Sequence, residues 1–188
     1  MNVVNPKTKR VNGIDVNYLM DTIDAVAADP AKGMVAFSVT SAWKGQARSE
    51  HVVESYKIGG QTVPRRFAIP CDEPLELCGE NTAANPQELL MSALNACMMV
   101  GYVAGCAVRG IKLEALEVET SGELDLRGFL GIDEKVKPGY GAIQVKVRIN
   151  GSGTAAQFRE IHETVLKTSP NYFNVSKPIA VAATLAIG

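Results

Sequence analysis

The chain has 188 residues, 46% of them hydrophobic, and a formal net charge of -1, enough apolar material to bury a substantial core in one domain. Near-neutral charge with scattered lysines and arginines excludes a nucleic-acid surface. Four cysteines in a chain that can build its own core call for no disulfide scaffold, so the expected compartment is reducing and cytoplasmic.

The first ten residues are polar and lead to Gly13 without an apolar signal core, so no export is expected. Residues 14–28 then place Val16, Leu19, Met20, Ile23, Val26 and Ala27 at helical spacing and stop at Asp29-Pro30. This is an amphipathic leading helix. Three extended runs follow, residues 34–43, 47–58 and 62–69, broken by turn residues such as Gly59-Gly60 and Pro70, and they read as a meander. Residues 70–84 form a loop that carries Cys71 and Cys78.

That loop empties into a well-specified helix. Asn85 is placed to cap it, Pro86 fits the first helical position, and Glu88 stands where a capping-box acid closes back on the cap. From Leu89 to Val108 no residue is charged, and Arg109-Gly110 supplies a basic last turn and a stop. A run of about 20 apolar residues can cross a bilayer. Ser92, Asn95, Gly101 and Gly105 dilute it, however, and it lacks an aromatic belt, so a core helix buried nearly all round is expected rather than a membrane span. Ala93, Cys97, Gly101 and Gly105 recur one turn apart, a small-residue stripe suited to close contact with another helix, of this chain or of a symmetric partner.

Beyond Gly110 the period changes to two. Leu116, Val118, Thr120, Leu124 and Leu126 alternate with Glu117, Glu119, Glu123 and Asp125, and Ile143, Val145, Val147 and Ile149 alternate with Gln144, Lys146 and Arg148. An acidic polar face followed by a basic one predicts antiparallel neighbours whose charges pair across the strands. Residues 154–167 read as a second helix, Thr168-Ser169-Pro170 breaks it, and residues 179–187 read as a closing strand. Together these elements describe an α+β fold.

No metal or other cofactor is expected. The chain contains no Cys-x-x-Cys pair, and Cys97 and Cys106, nine residues apart on one helix, are separated by about 13 Å along its axis. His51 and His162 read as solvent-facing or as satisfied polar edges rather than as chemistry.

The motif Asn85-Pro86-x-Glu88-Leu89-Leu90, then Cys97, then Arg109-Gly110-Ile111, resembles the osmotically inducible protein C (OsmC) and organic hydroperoxide resistance (Ohr) family. The segment Gly122 to Gly131, Pro138-Gly139-Tyr140, and Ser169-Pro170 before Lys177-Pro178-Ile179 resemble a divergent OsmC-like branch of it. The resemblance runs from about Met34 onward, and it implies that the leading helix, within residues 1–32, is an N-terminal extension to an OsmC-like domain of residues 33–188. It implies an intertwined homodimer in which curved antiparallel sheets wrap long central helices, with thiol-dependent reduction of small apolar hydroperoxides at sites between the subunits. It also implies that Cys97 is the cysteine that attacks the peroxide, and that an arginine and a glutamate organise its site.

Two positions depart from that pattern. Ser169 stands where the resolving cysteine is found, and Gln87 where many members carry the glutamate, with Glu88 turned about 100° away around the helix. Arg48 is the first candidate for the arginine, against Arg65 and Arg66 in the next strand, and its plain alternative is a surface residue paired with Glu50 or Glu54. Cys71 and Cys78 are loop thiols near the core or, on the sharper reading, replacement resolving residues; Cys106 reads as a small core residue. Two functions follow: a one-cysteine peroxidase recycled by an external thiol, or a catalytically impaired scaffold that binds a small apolar ligand at the dimer interface. A weaker third is a redox sensor in which a loop cysteine alters the dimer.

Overall fold

The computed structural model describes residues 10–188, so the polar N-terminal segment lies outside the described residues. The chain divides into two compact units, Met1–Leu90 and Met91–Gly188, the boundary falling inside one helix.

The first unit begins with a tight hairpin, β1 (Arg10–Val11) and β2 (Ile14–Asp15), turned by Asn12 and Gly13 at φ of 54° and 80°. Both values lie in the left-handed region that Asn and Gly tolerate best. The first helix, α1 (Val16–Ala28), starts two residues later than its periodicity predicts, because Ile14 is paired in the hairpin and the Asp15 side chain caps the helix by accepting from Tyr18 N at 3.1 Å. A four-stranded sheet follows. Strands β3 (Val35–Phe37) and β4 (Thr40–Trp43), together the first predicted run, pair with opposite halves of β5 (Ser49–Ile58), and β6 (Gln61–Cys71) covers its other edge. All pairings are antiparallel, as in the predicted meander.

The second unit is built on α2 (Pro86–Val108), whose first residues belong to the first unit. Strands β7 (Leu113–Gly122) and β8 (Ile143–Gly151) pair antiparallel with Glu117 opposite Arg148 and Glu119 opposite Lys146, the charge match that the alternating faces predict. Arg148 bridges both Glu117, at 3.2 Å, and Glu119, at 2.8 Å. The predicted strand ends early, since Asp125 caps a short helix, α3 (Leu126–Phe129), by accepting from Arg127 N. Helix α4 (Ala155–Thr168) opens with a complete capping box between Thr154 and Gln157. Ser169 then ends α4 and caps α5 (Pro170–Ser176).

Leu94, Met98, Tyr102 and Cys106 form the buried stripe of α2 and meet Ile111, Ile161 and Val165, with the apolar faces of β7 and β8 packed against them. By length and composition α2 could cross a membrane, but here it is the core helix of this unit.

Two expectations change, and one open choice is decided. The helix is not buried all round: Leu94, Met98, Tyr102, Cys106 and Ala107 are covered while Val100 is 69% exposed, because one chain supplies only one covering layer. The small-residue stripe seats α4 of the same chain, with Gly101 against Val165 and Gly105 against Ile161, so it is not itself a contact reserved for a partner. The predicted closing strand forms no strand, since residues 177–188 find no pairing edge among the described residues.

Candidate functional site

Cys97 lies at the middle of α2, half-buried, and accepts a hydrogen bond from the α4–α5 junction. Pro170 stops α4, so the chain turns at Ser169 with extended backbone, φ -73° and ψ 117°. The Ser169 hydroxyl, 5% exposed, donates to Cys97 Sγ at 3.4 Å and accepts from Tyr172 N at 3.4 Å. Asn171 Nδ2 donates to the Ala93 carbonyl at 2.9 Å, pinning the start of α5 to the same face of α2. The structure thus brings together Cys97 and Ser169, two residues 72 positions apart.

The remaining thiols differ in setting. Cys106 is wholly buried, and burial pushes its thiol up, with Arg109 opposing in part. Cys71 closes β6; burial raises it too, partly offset by a hydrogen bond with Ser49. Cys78 is exposed at φ 63° after the 3-10 turn Leu75–Leu77, and all four cysteines are free.

Gln87 and Glu88 occupy the first turn of α2. The Glu88 carboxylate accepts from Asn85 N at 2.8 Å while Asn85 Oδ1 accepts from Glu88 N at 2.8 Å, so this acid is held in the capping box. Arg48 lies in the turn immediately before β5 rather than inside the strand. Its partner is neither Glu50, which binds Lys44, nor Glu54; it is Glu80, at 2.9 Å. Arg65 is stacked over Tyr56 and Phe67, 4.9 and 5.5 Å from their ring centroids.

Both histidines are satisfied polar groups. His51 meets Ser41 Oγ at 2.8 Å and Ser49 Oγ at 3.1 Å, and His162 Nδ1 binds the hydroxyl of buried Tyr102. Among the described residues no group of three His, Cys, Asp or Glu side chains is placed to hold a metal ion.

Sequence reasoning missed Asp72. Its carboxylate is 1% exposed and accepts from Glu73 N, Glu80 N, Thr82 N and Thr82 Oγ1 at distances from 2.7 to 3.3 Å. Burial alone would raise its titration, but these donors more than compensate and hold the carboxyl below the usual range. The available signal was an acid at a strand end followed by Thr82 in a loop rich in turn residues.

A family model described as OsmC-like protein matches residues 79–184. The chain belongs to the OsmC-like family. Solved structures agree on the fold. An OsmC-like protein from Mycoplasma pneumoniae superimposes with a TM-score of 0.58 at 16% identity, covering 74% of this chain and 86% of that one. An OsmC-like protein of unknown function from Vibrio cholerae gives 0.52 at 15% identity, with 74% and 92% covered. A protein from Psychrobacter arcticus, named for osmotic stress induction and a detoxification response, gives 0.54 at 18% identity, with 74% and 87% covered. No curated protein matches in sequence. Cys97, Ser169, Gln87, Glu88 and Cys106 all fall inside the matched segment of this OsmC-like chain, whereas Arg48 and Cys71 precede it.

Proposed function

We propose that this OsmC-like protein is a cytoplasmic, homodimeric thiol peroxidase of one-cysteine type acting on small apolar hydroperoxides. The observation that carries this reading is the Ser169 hydroxyl at 3.4 Å from Cys97 Sγ. A hydroxyl there can donate to the sulfur but cannot close a disulfide, and on this reading a thiol from outside the chain clears oxidised Cys97.

The chemistry balances in three steps. Cys97 thiolate attacks a peroxide oxygen, the S–O bond forms as the O–O bond breaks, and the departing alkoxide takes a proton, giving sulfenic acid and an alcohol. A first external thiol displaces water to make a mixed disulfide. A second thiol then releases Cys97 as thiol and leaves as a disulfide with the first. The family resemblance gives Arg48 the role of the cation that organises the reacting thiolate and peroxide in the assembled homodimer.

Stopped-flow consumption of cumene hydroperoxide by the reduced protein, beside Cys97→Ser, tests the reading. A fast reaction lost in the variant is expected; slow consumption that does not depend on Cys97 overturns it. The second reading, an impaired scaffold that binds a small apolar ligand at the dimer interface, draws on Gln87 in the acid's position and on the capping engagement of Glu88. Its signature is Cys97-independent binding of an apolar fluorophore together with no peroxide turnover.

A further inference from the structure

The first unit contains an ion pair whose two ends are fixed far more firmly than a surface pair needs. Arg48 emerges from a five-residue turn closed twice, by Lys44 N to the Arg48 carbonyl at 2.9 Å and by Arg48 N to the Gly45 carbonyl at 3.0 Å. Glu80 emerges from the loop caged by Asp72. The buried carboxylate holds the backbone at Glu73, Glu80 and Thr82, and Asn81 N donates to the Glu73 carbonyl at 3.1 Å. Gly79 lets the loop close, because a Cβ there would fall 1.8 Å from the Glu73 carbonyl oxygen.

An exposed salt bridge usually contributes little to stability, largely because ordering two long side chains costs entropy. Here the backbone on both sides is already ordered, so the pair fixes the direction of a guanidinium. Arg48 Nε is also buried with no hydrogen-bond partner among the described residues, leaving one donor of this fixed guanidinium uncommitted.

We propose that Glu80, fixed in place by the buried carboxylate of Asp72, is the positioning residue for Arg48, supplying from the loop the carboxylate that Gln87 cannot supply from the helix. The catalytic meaning of this rests on the role given to Arg48 under Proposed function. The ordering of Arg48 by Glu80 does not.

The test uses the full chain with Glu80→Gln, Glu80→Asp, Thr82→Val and Arg48→Ala, and two measurements: the nitrogen-15 relaxation of the Arg48 Nε–H group, and the second-order rate constant for Cys97 oxidation by cumene hydroperoxide. Glu80→Gln is expected to mobilise Arg48 and slow oxidation about tenfold. Glu80→Asp recovers part of both, which a merely structural role would not produce. Thr82→Val, which loosens the Asp72 cage, moves both readouts in the direction of Glu80→Gln at unchanged circular dichroism. An Arg48 signal as ordered in Glu80→Gln as in the wild type overturns the proposal. So does a mobilised Arg48 with a wild-type rate, where Arg48→Ala lowers that rate. If Arg48→Ala itself leaves the rate unchanged, the role assigned to Arg48 fails, and the relaxation measurement alone decides whether Glu80 orders it.

Discussion

Ser169 Oγ donates to Cys97 Sγ across 3.4 Å, so the residue that both ends α4 and caps α5 faces the thiol at the middle of α2. A disulfide needs Cβ atoms about 3.5–4.5 Å apart, a separation compatible with that contact. In Ser169→Cys, one equivalent of cumene hydroperoxide is therefore expected to yield an intramolecular disulfide at Cys97, read by mass spectrometry without reductant. The wild type should instead accumulate a sulfenic acid that dimedone traps. Persistence of the sulfenic acid in the variant would place Ser169 outside reach of the oxidised sulfur.

Gly101 and Gly105 let α4 approach α2, and a Cβ on either would stand 3.0 or 3.1 Å from Val165 or Ile161. Alanine gains helix propensity at these positions, offsetting part of the crowding, whereas a larger side chain cannot be accommodated between Val165 and the helix. Gly101→Leu is expected to lower stability by about 1–3 kcal/mol, measured by urea unfolding at fixed protein concentration. An unchanged midpoint would show that α4 does not pack on this stripe.

These glycines mark the limit of what the sequence disclosed. Their spacing announced a helix contact, but nothing local distinguishes a helix of the same chain from one of a partner; only the positions of Ile161 and Val165 on α4 decide it. Where a signal is local, it was legible. The Asn85 and Glu88 capping box, the acidic face of β7 against the basic face of β8, and the break at Ser169-Pro170 all appear as their residues predict. Asp72 was not legible, because its four donors are mostly backbone N–H groups of a loop whose path depends on Gly79 and on Cys78 in a left-handed conformation. The partner of Arg48 was not legible either, since Glu80 is 32 residues away, beyond any pattern of neighbouring charges.

Tyr102 lies in the core with its hydroxyl on His162, and burial pushes it up to about 12 from an ordinary value of 10.0. Between those values the unfolded chain has released the proton while the folded one retains it, so folding stability is complete below about pH 10 and falls as pH rises toward 12. The two-unit displacement corresponds to about 2–3 kcal/mol. Cys71 and Cys106, also raised by burial, add losses of the same sign. Urea unfolding from pH 9 to 12 is expected to show a steeper decline for the wild type than for Tyr102→Phe, which lacks the titrating hydroxyl. Parallel profiles would mean that Tyr102 ionises as freely in the folded protein as in the unfolded one.

The proposed homodimer makes a separate prediction at the C-terminus. Ile179, Val181, Leu185 and Ile187 are 51, 83, 86 and 88% exposed in the single chain, although residues 179–187 carry a strand-like apolar composition. Side chains of that kind left in water favour any arrangement that covers them, and unpaired backbone in an extended segment can join an open sheet edge. Light scattering at micromolar concentration is expected to give a dimer. Amide hydrogen exchange across residues 179–187 should then be slow in the dimer and fast once dilution yields monomer. A dimer in which these amides exchange at the rate of an unstructured peptide would leave the segment outside the interface, and a monomer at micromolar concentration would remove the homodimer from the proposed function.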